Sequence, residues 1–262
     1  MGEKVVQKVY EYGWWLPPDV SVHGARIDSI ITWMHWFMLL LFIGWGSFLV
    51  FTLIKFRARQ GHVADYYGVR THNSTYLEAG IAVIEVIFLV GLSIPVWADV
   101  KANPPEPKDA DVVVRVVGEQ FAWNVHYPGA DGKFGKTDVS LVGSDNPLGL
   151  VSDDPAAKDD ITTINQFHFP VGKKILVHLT AKDVIHSFSL PVMRVKQDAI
   201  PGMTVPVWFE AKDTGQFEIA CTQLCGLGHY RMKGFFSIDT PEEYDAWLAE
   251  QASAKSFEDD YY

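Results

Sequence analysis

Hydrophobic residues are concentrated in the first hundred positions of the chain. The run from Ile30 to Ile54, IITWMHWFMLLLFIGWGSFLVFTLI, contains no Asp, Glu, Lys or Arg. A second run from Leu77 to Ala98, LEAGIAVIEVIFLVGLSIPVWA, has a similar length but includes Glu78 and Glu85. In a helix, about 20 apolar residues cross a bilayer core of roughly 30 Å. The pattern therefore predicts two transmembrane helices.

The charge of the segment between these runs predicts their orientation. The segment KFRARQGHVADYYGVRTHN carries Lys55, Arg57, Arg59 and Arg70 against the single acid Asp65. Cytoplasmic loops are enriched in Lys and Arg, so we expect this loop in the cytoplasm and both termini outside. The first run follows nearly thirty polar and aromatic residues, which argues against a cleaved signal peptide. Tryptophans suit the aromatic belt of the outer interface: Trp14, Trp15, Trp33, Trp36 and Trp97.

A strand pattern follows the second run. After the linker DVKANPPEPKDAD come short runs rich in Val, Ile, Phe and Thr, separated by Gly, Pro and Asp, which predict a β-sandwich or barrel. Those runs are DVVVRVVGEQFAWNVHY, ITTINQFHF, KKILVHLTAKD, IHSFSLP, TVPVWFEAKD and GQFEIACTQ. A helix is predicted after Thr240, as an N-cap, with Pro241 in its first turn.

This pattern predicts five parts in the chain. They are an N-terminal extracytoplasmic segment 1–28, a transmembrane hairpin 29–99, a linker 100–110, a β domain 111–250 and a mobile tail 251–262.

Candidate chemistry is concentrated in CTQLCGLGHYRM, residues 221–232, which contains both cysteines of the chain. A disulfide between Cys221 and Cys225 would close a very small loop and stabilise little. A zinc site is chemically possible, but the chain lacks the second zinc knuckle that would complete it. Copper uses more of these residues, because thiolate, imidazole and thioether together form its soft ligand set.

A copper pair bridged by both thiolates would use His229 and Met232 and would require one more histidine. His186, at the start of HSFSLP, is the candidate, and His168 and His178 are competitors in strand-like runs.

The two-helix anchor followed by HSFSLPVMRVKQDAIPGM and CTQLCGLGHYRM resembles subunit 2 of cytochrome c oxidase. The resemblance implies an all-β cupredoxin domain, a Greek-key β-sandwich, with a dinuclear copper centre called CuA. The implied metal ligands are His186, Cys221, Cys225, His229, Met232 and the main-chain carbonyl of Gln223. That family usually has Glu at the Gln223 position, where the carboxylate helps to hold magnesium at the boundary with subunit 1. An amide is a poorer ligand for a hard dication, so magnesium is doubtful here.

The resemblance implies roles for three further residues. Phe121 takes the position of the family's usual tryptophan for electron uptake, with Trp123 two positions on, and a plain strand aromatic is the alternative. Glu78 takes the position of the proton entrance to a channel in subunit 1, and an interfacial carboxylate reaching water is the alternative. For Glu85, a hydrogen bond to a neighbouring subunit is the preferred interpretation.

The net charge and the resemblance together define the expected partners. A formal net charge of −10 argues against nucleic acid. Acids that could face a basic protein such as cytochrome c are Asp153, Asp154, Asp159, Asp160, Glu210 and Asp213. The chain has no C-x-x-C-H motif, so electrons must come from a separate c-type haem protein.

The implied function is electron transfer from cytochrome c to CuA and then to haem in subunit 1, where oxygen is reduced to water and protons are translocated. Haem is expected only in partner subunits, subunit 3 is a further expected partner, and membership of a respiratory supercomplex is left open. The expected location is a bacterial plasma membrane. Alternatives are a CuA-containing nitric oxide reductase subunit, a membrane-tethered copper carrier, and a domain with a structural zinc or disulfide. A quinol oxidase subunit would lack the copper ligands.

Overall fold

The structure is a computed structural model that describes residues 15–63, 66–68, 70–144 and 146–259. Trp14 and Asp65, which supported the predicted orientation, lie outside these residues, as does the end of the predicted tail at 260–262. The chain forms two compact units. Residues 26–99 form one unit, and the remaining described residues form the other.

The first unit is a pair of long apolar helices. Helix α1 spans Gly24–Lys55 and helix α2 spans Asn73–Ala102, and each is long and apolar enough to cross a membrane. Both extend a few residues beyond the hydrophobic runs. Helix α2 passes through π-helical stretches at Ile87–Ser93 and Ala98–Ala102. The Arg26 guanidinium donates to the Asp99 carboxylate at 2.6 Å, which joins the two helices at one end.

The second unit is a sandwich of two five-stranded sheets. In chain order the strands are β1 Val112–Glu119, β2 Ala122–Tyr127, β3 Ile161–Ile164, β4 Gln166–Pro170, β5 Lys174–Ala181, β6 His186–Leu190, β7 Val195–Ala199, β8 Val205–Glu210, β9 Gly215–Cys221 and β10 Lys233–Asp239. One sheet has the order β3-β2-β1-β5-β8 and the other β4-β10-β9-β6-β7. The predicted fold class, a helical hairpin followed by an all-β sandwich, is confirmed.

Alternating burial along the strands explains why the sheets pack together. In β1, Val114 and Val116 are fully buried and their neighbours are partly exposed, as expected for a strand with one face on a core. Large aromatic side chains fill the space between the sheets: Trp123, Phe167, Phe169, Phe188, Phe209 and Phe236. Burial of this apolar surface is the main favourable term for the sandwich.

Two strands were not predicted. Strand β7 reads VKQDA, and only its ends, Val195 and Ala199, are buried. Strand β10 follows the CTQLCGLGHYRM segment directly and pairs antiparallel with β9 and parallel with β4. The polar residues of β7 therefore gave no strand pattern. The start of β10 was not recognised because it directly follows the metal-ligand motif.

The C-terminal helix α3, Pro241–Asp259, begins as predicted. The Thr240 hydroxyl accepts a hydrogen bond from the Glu243 backbone N–H at 3.2 Å, and the Glu243 carboxylate accepts one from the Thr240 backbone N–H at 2.9 Å. This reciprocal pair is a capping box. The helix continues past the predicted boundary at residue 250 as far as Asp259.

Candidate metal centre

The CTQLCGLGHYRM segment connects two paired strands. Cys221 is the last residue of β9, and Met232 comes just before β10. The Cys221 backbone N–H donates to the Met232 carbonyl at 3.3 Å, which closes the base of the loop. A short 3₁₀ turn at His229–Arg231 brings the chain back towards the sheet. The end of the sandwich that carries this loop is called the thiol end below.

Donor atoms from this loop converge on the Cys225 sulfur. Cys225 Sγ lies 3.8 Å from Cys221 Sγ, 3.7 Å from His229 Nδ1 and 3.7 Å from Met232 Sδ. Cys221 Sγ lies 3.3 Å from the Gln223 carbonyl oxygen. Both thiols and the thioether are buried, and His229 is half-buried. The loop thus brings together five of the six ligands implied by the resemblance.

His186 comes from a neighbouring strand. It is the first residue of β6, which pairs with β9 so that Phe188 lies opposite Cys221. Its side chain is fully buried, and a ring nitrogen lies within 4.8 Å of both cysteine sulfurs. Its Nε2 faces an oxygen of Asp183 at 2.8 Å, whereas its buried Nδ1 has no hydrogen-bond partner among the described residues. A buried nitrogen of this kind is suited to a metal ion.

The two thiols are free and differ in their surroundings from a thiol in water. Burial and the neighbouring Cys221 thiol raise the pKa of Cys225 to about 11. A buried thiol favours its neutral form because the low-dielectric surroundings penalise the thiolate. Metal ligation by this site must therefore release protons from the thiols.

The donor set fits copper better than zinc. Two sulfurs, two imidazoles, a thioether and a carbonyl are soft and borderline donors of the kind that copper sites use. Structural zinc sites use four ligands from Cys, His and carboxylates, which would leave Met232 without a role.

Two residues at the thiol end were missed by the sequence analysis. Asp183 accepts hydrogen bonds from His186 Nε2 and from the Gln120 backbone N–H at 2.8 Å each. The Gln120 side chain donates to the Cys225 carbonyl at 2.6 Å. The turn between β1 and β2 is thereby tied to both metal-bearing segments. The sequence did contain a signal for Asp183, because it lies three positions before His186 and carboxylates often orient metal-bound imidazoles.

The two aromatic residues assigned to electron uptake lie in different surroundings. Trp123 is fully buried in the core, with its ring edge-on to His186 at 6.0 Å and to Phe188 at 5.3 Å between centroids. Phe121 is half-buried, and its ring packs on the loop backbone so closely that a Cβ at Gly228 would lie 2.4 Å from it. Phe121 is therefore the outer residue and Trp123 the inner one.

The competing histidines lie outside the cluster. His168 in β4 pairs with the Asp239 carboxylate at 2.8 Å and stacks on Trp247, and His178 lies on β5. Among the described residues, His186, Cys221 and Cys225 are the group of His, Cys and acidic side chains whose ligand atoms all lie within 4.8 Å of one another. Glu78 lies in α2, where it lines a groove between the helices with Thr71 and Asn73.

The predicted acidic face needs a correction. Asp160 is fully buried, where it accepts hydrogen bonds from His126 Nε2 at 2.7 Å and from the Gly135 N–H at 2.8 Å. It is therefore part of the interior and cannot meet a partner. Asp159 and Asp160 precede β3, Glu210 ends β8 and Asp213 follows it, and these strand ends lie opposite the thiol end.

Two packed five-stranded sheets with two thiols, two imidazoles and a thioether at one end define a cupredoxin-type domain. Residues 112–236 match the family model described as cytochrome c oxidase subunit II, periplasmic domain. The alternative cytochrome c oxidase subunit 2 of Bradyrhizobium diazoefficiens is 31% identical over 239 residues, which is 91% of this chain and 84% of the relative. Cytochrome c oxidase subunit 2 of Cereibacter sphaeroides is 30% identical over 251 residues, covering 90% and 80%. The chain belongs to the cytochrome c oxidase subunit 2 family.

A solved structure is also similar. The crystal structure of the periplasmic domain of subunit II of cytochrome oxidase of Bradyrhizobium japonicum is 30% identical, covers 58% of this chain and 99% of that chain, and has a TM-score of 0.43.

The family and the two apolar helices together confirm part of the predictions. The chain is a membrane-anchored protein of the respiratory oxidase family with its β domain outside the membrane and a copper-binding site candidate. An oxidoreductase role holds at the level of the family.

Proposed function

We propose that this chain is the electron-accepting subunit of a respiratory cytochrome c oxidase. In this proposal cytochrome c delivers electrons to a dinuclear copper site of this chain, and haem in subunit 1 receives them for reduction of oxygen to water, coupled to proton translocation. The observation that carries the proposal is the convergence of five donor groups of one loop beside the buried Nδ1 of His186, which has no hydrogen-bond partner among the described residues.

The residues that would hold the metal have distinct tasks. Cys221 and Cys225 would supply two thiolates, His186 and His229 would each supply a nitrogen, and Met232 and the Gln223 carbonyl would complete the donor set. When bound, the copper pair supplies one-electron chemistry with the charge shared between two ions. Burial of the thiols and the thioether keeps bulk water from these donors, and the paired strand ends fix the loop that carries them.

Phe121 and Trp123 are proposed as electron-uptake residues with unequal roles. Phe121 lies against the ligand loop and is partly open to solvent, so it could meet a donor directly. Trp123 is fully buried and touches no solvent, which restricts it to contact with His186 inside the core.

Further parts of the proposal concern partners and location. Subunit 1, subunit 3 and a c-type haem protein are the proposed partners, in a bacterial plasma membrane with both termini outside. Glu78 is the proposed proton-uptake residue, and magnesium at the subunit 1 boundary stays doubtful because Gln223 has no carboxylate.

Copper content and electron paramagnetic resonance of the detergent-solubilised full chain, loaded with copper under mild oxidant, test the proposal. We expect two coppers per chain and a hyperfine pattern from one unpaired electron shared by two copper nuclei. Cys225→Ser should abolish that pattern, whereas His168→Gln, outside the cluster, should preserve it. A single copper per wild-type chain would favour the copper carrier, and bound zinc would favour a structural site.

The reaction itself is tested with the complete complex. Oxygen consumption with reduced cytochrome c is expected, and turnover of nitric oxide without oxygen consumption would favour the nitric oxide reductase alternative. For proton uptake, Glu78→Gln should slow turnover while leaving the copper spectrum unchanged. Glu85→Gln is the matched control two helical turns away, and an equal loss in both variants would contradict a specific role of Glu78.

A further inference from the structure

A series of hydrogen bonds connects the two segments that carry the candidate metal ligands. His186 Nε2 faces one oxygen of Asp183 at 2.8 Å, and the other oxygen of Asp183 accepts from the Gln120 backbone N–H at 2.8 Å. The Gln120 side-chain amide donates to the Cys225 carbonyl at 2.6 Å. His186 on β6 and Cys225 on the loop of residues 221–232 are therefore joined through Asp183 and Gln120. We call these three hydrogen bonds the ligand tie.

The two middle members of the ligand tie lie just beyond the ends of two parallel strands. Gln120 follows the end of β1, and Asp183 lies two positions after the end of β5. The Lys182 backbone N–H donates to the Gly118 carbonyl at 2.9 Å, which extends the backbone pairing of these strands by one residue. The next hydrogen bond, between Gln120 and Asp183, uses a side chain. Its geometry therefore depends on how firmly the two turns are held together.

An ion pair joins these same two turns. The Lys182 ammonium lies 2.7 Å from the Glu119 carboxylate, and the two side chains are only 24% and 20% exposed. Lys182 immediately precedes Asp183 in the chain, and Glu119 immediately precedes Gln120. A partly buried pair is screened less by water and salt than an exposed one. The pair is therefore placed to hold the turns that carry the ligand tie.

Both members of this ion pair have a second contact. The other carboxylate oxygen of Glu119 accepts from the side-chain amide of Asn124 at 3.1 Å, and Asn124 is buried. Lys182 also donates to the Gly143 carbonyl at 3.3 Å, in the connection between β2 and β3. Loss of side-chain freedom limits the strength of most surface ion pairs. These second contacts restrict both side chains independently, so the pair loses less freedom when it forms.

The same two strands carry another ion pair at their opposite end. The Lys173 ammonium lies 3.4 Å from the Asp111 carboxylate, and these side chains are 46% and 42% exposed. Both residues come just before the starts of their strands, so this pair is remote from the thiol end. It supplies a matched control, because it joins the same strands without contact with the ligand tie.

We propose that Lys182 and Glu119 are positioning residues of the copper site, and that they act through Asp183 and Gln120. This inference rests on the proposed function. By fixing the two turns, the ion pair keeps the ligand tie closed in the copper-free chain, so that the ligands are in place before copper binds. Preorganised ligands bind more tightly because less order has to be created on binding.

The copper-free full chain in detergent tests the first step of this proposal. The Gln120 amide proton is bonded to Asp183, so its hydrogen exchange reports whether the ligand tie is closed. Lys182→Met keeps the aliphatic stem and removes the charge, and it should raise that exchange rate about fivefold or more by easing local opening. Lys173→Met should leave the rate unchanged. Equal exchange in Lys182→Met and wild type would overturn the proposal.

Copper retention against a chelator tests the second step. Lys182→Met and Glu119→Gln should each lower retention about threefold to tenfold, less than a direct partner of a ligand histidine, because their effect passes through another residue. The histidine nitrogen couplings in the copper resonance spectrum should change in both variants. Since the two residues act as one pair, the double variant should lose no more than either single variant. Additive losses, or unchanged retention, would contradict the pair.

A second set of variants tests whether the pair acts through the ligand tie. In a chain carrying Asp183→Ala and Gln120→Ala, the side chains of the ligand tie are missing. Adding Lys182→Met to that chain should cause no further loss of copper. A further loss equal to the one seen in the wild-type background would show that Lys182 acts by another route, which would overturn the proposal.

Two results separate positioning from general stability and from the proposed function. A lower thermal midpoint in Lys182→Met than in Lys173→Met, with faster exchange throughout β1 and β5, would give the pair a merely structural role and overturn the proposal. Two coppers in wild type with unchanged retention in Lys182→Met would overturn this inference alone. Failure of wild type to bind two coppers would overturn the proposed function, and this inference with it.

Discussion

Asp183 accepts a hydrogen bond from His186 Nε2 at 2.8 Å, and this contact leaves Nδ1 as the nitrogen available to a metal. Partial burial alone would raise the pKa of the Asp183 carboxyl. Hydrogen bonds from His186, Gln120 and Val184 more than offset that effect, so its pKa lies below the ordinary value. The carboxylate therefore stays charged and holds the imidazole in one orientation.

Replacing Asp183 should weaken copper binding. In Asp183→Ala the His186 ring loses its fixed orientation, and metal affinity should fall roughly 10- to 100-fold, as for other groups that orient a ligand histidine. Copper retention against a competing chelator measures the effect in the full chain. Asp213→Asn serves as the control, and equal retention by wild type and Asp183→Ala would refute the positioning role.

Gly228→Ala should displace Phe121 without removing a ligand. A Cβ at this position would lie 2.4 Å from the Phe121 ring, so the ring must move. We expect slower electron transfer from donor to the copper site, measured by rapid mixing, with a normal copper spectrum. Gly143→Ala is matched to it, because a Cβ at Gly143 meets no atom within 4 Å. An unchanged rate in Gly228→Ala would show that Phe121 has no part in electron uptake.

Asp160→Ala should destabilise the β domain. The change leaves His126 buried without its carboxylate partner and removes the acceptor of the Gly135 N–H. Leaving buried hydrogen-bonding groups without their acceptor costs roughly 1–3 kcal/mol for each group. Loss of the copper spectrum on heating should occur at a lower temperature than in wild type, while Asp153→Asn, an exposed acid, should behave as wild type. A thermal midpoint equal to that of wild type would argue that the pair contributes nothing.

Gln223→Glu tests whether the amide at this position weakens the binding of magnesium. Gln223 is exposed within the ligand loop and provides an amide where a carboxylate would suit a hard dication. The complex with Gln223→Glu should bind manganese, a spectroscopic substitute for magnesium, more tightly than wild type in a resonance titration. Gln216→Glu adds the same charge near the start of β9, away from the ligand loop, and should have no effect. Tight manganese binding by wild type would show that the amide suffices.

The sequence was most informative where the candidate ligands are close together along the chain. Four candidate ligands lie within twelve positions between two strands, so spacing alone grouped Cys221, Cys225, His229 and Met232. His186 is distant in sequence and was singled out by its place in the HSFSLP motif, whereas the pairing of β6 with β9 explains why it approaches the thiols. The contacts of Phe121 with Gly228 and of Asp160 with His126 depend on how the sheets pack. Local composition does not encode those contacts, which is why Asp160 was mistaken for a surface acid.

The hydrogen bond between Cys221 and Met232 at the base of the loop has a broader consequence. Five donor groups belong to one hairpin tip, and the sixth, His186, comes from a neighbouring strand. The remaining strands serve as a frame that supplies no ligand atom. Substitutions in that frame can accumulate during evolution and alter stability or partner choice, while the chemistry of the tip is inherited as one unit.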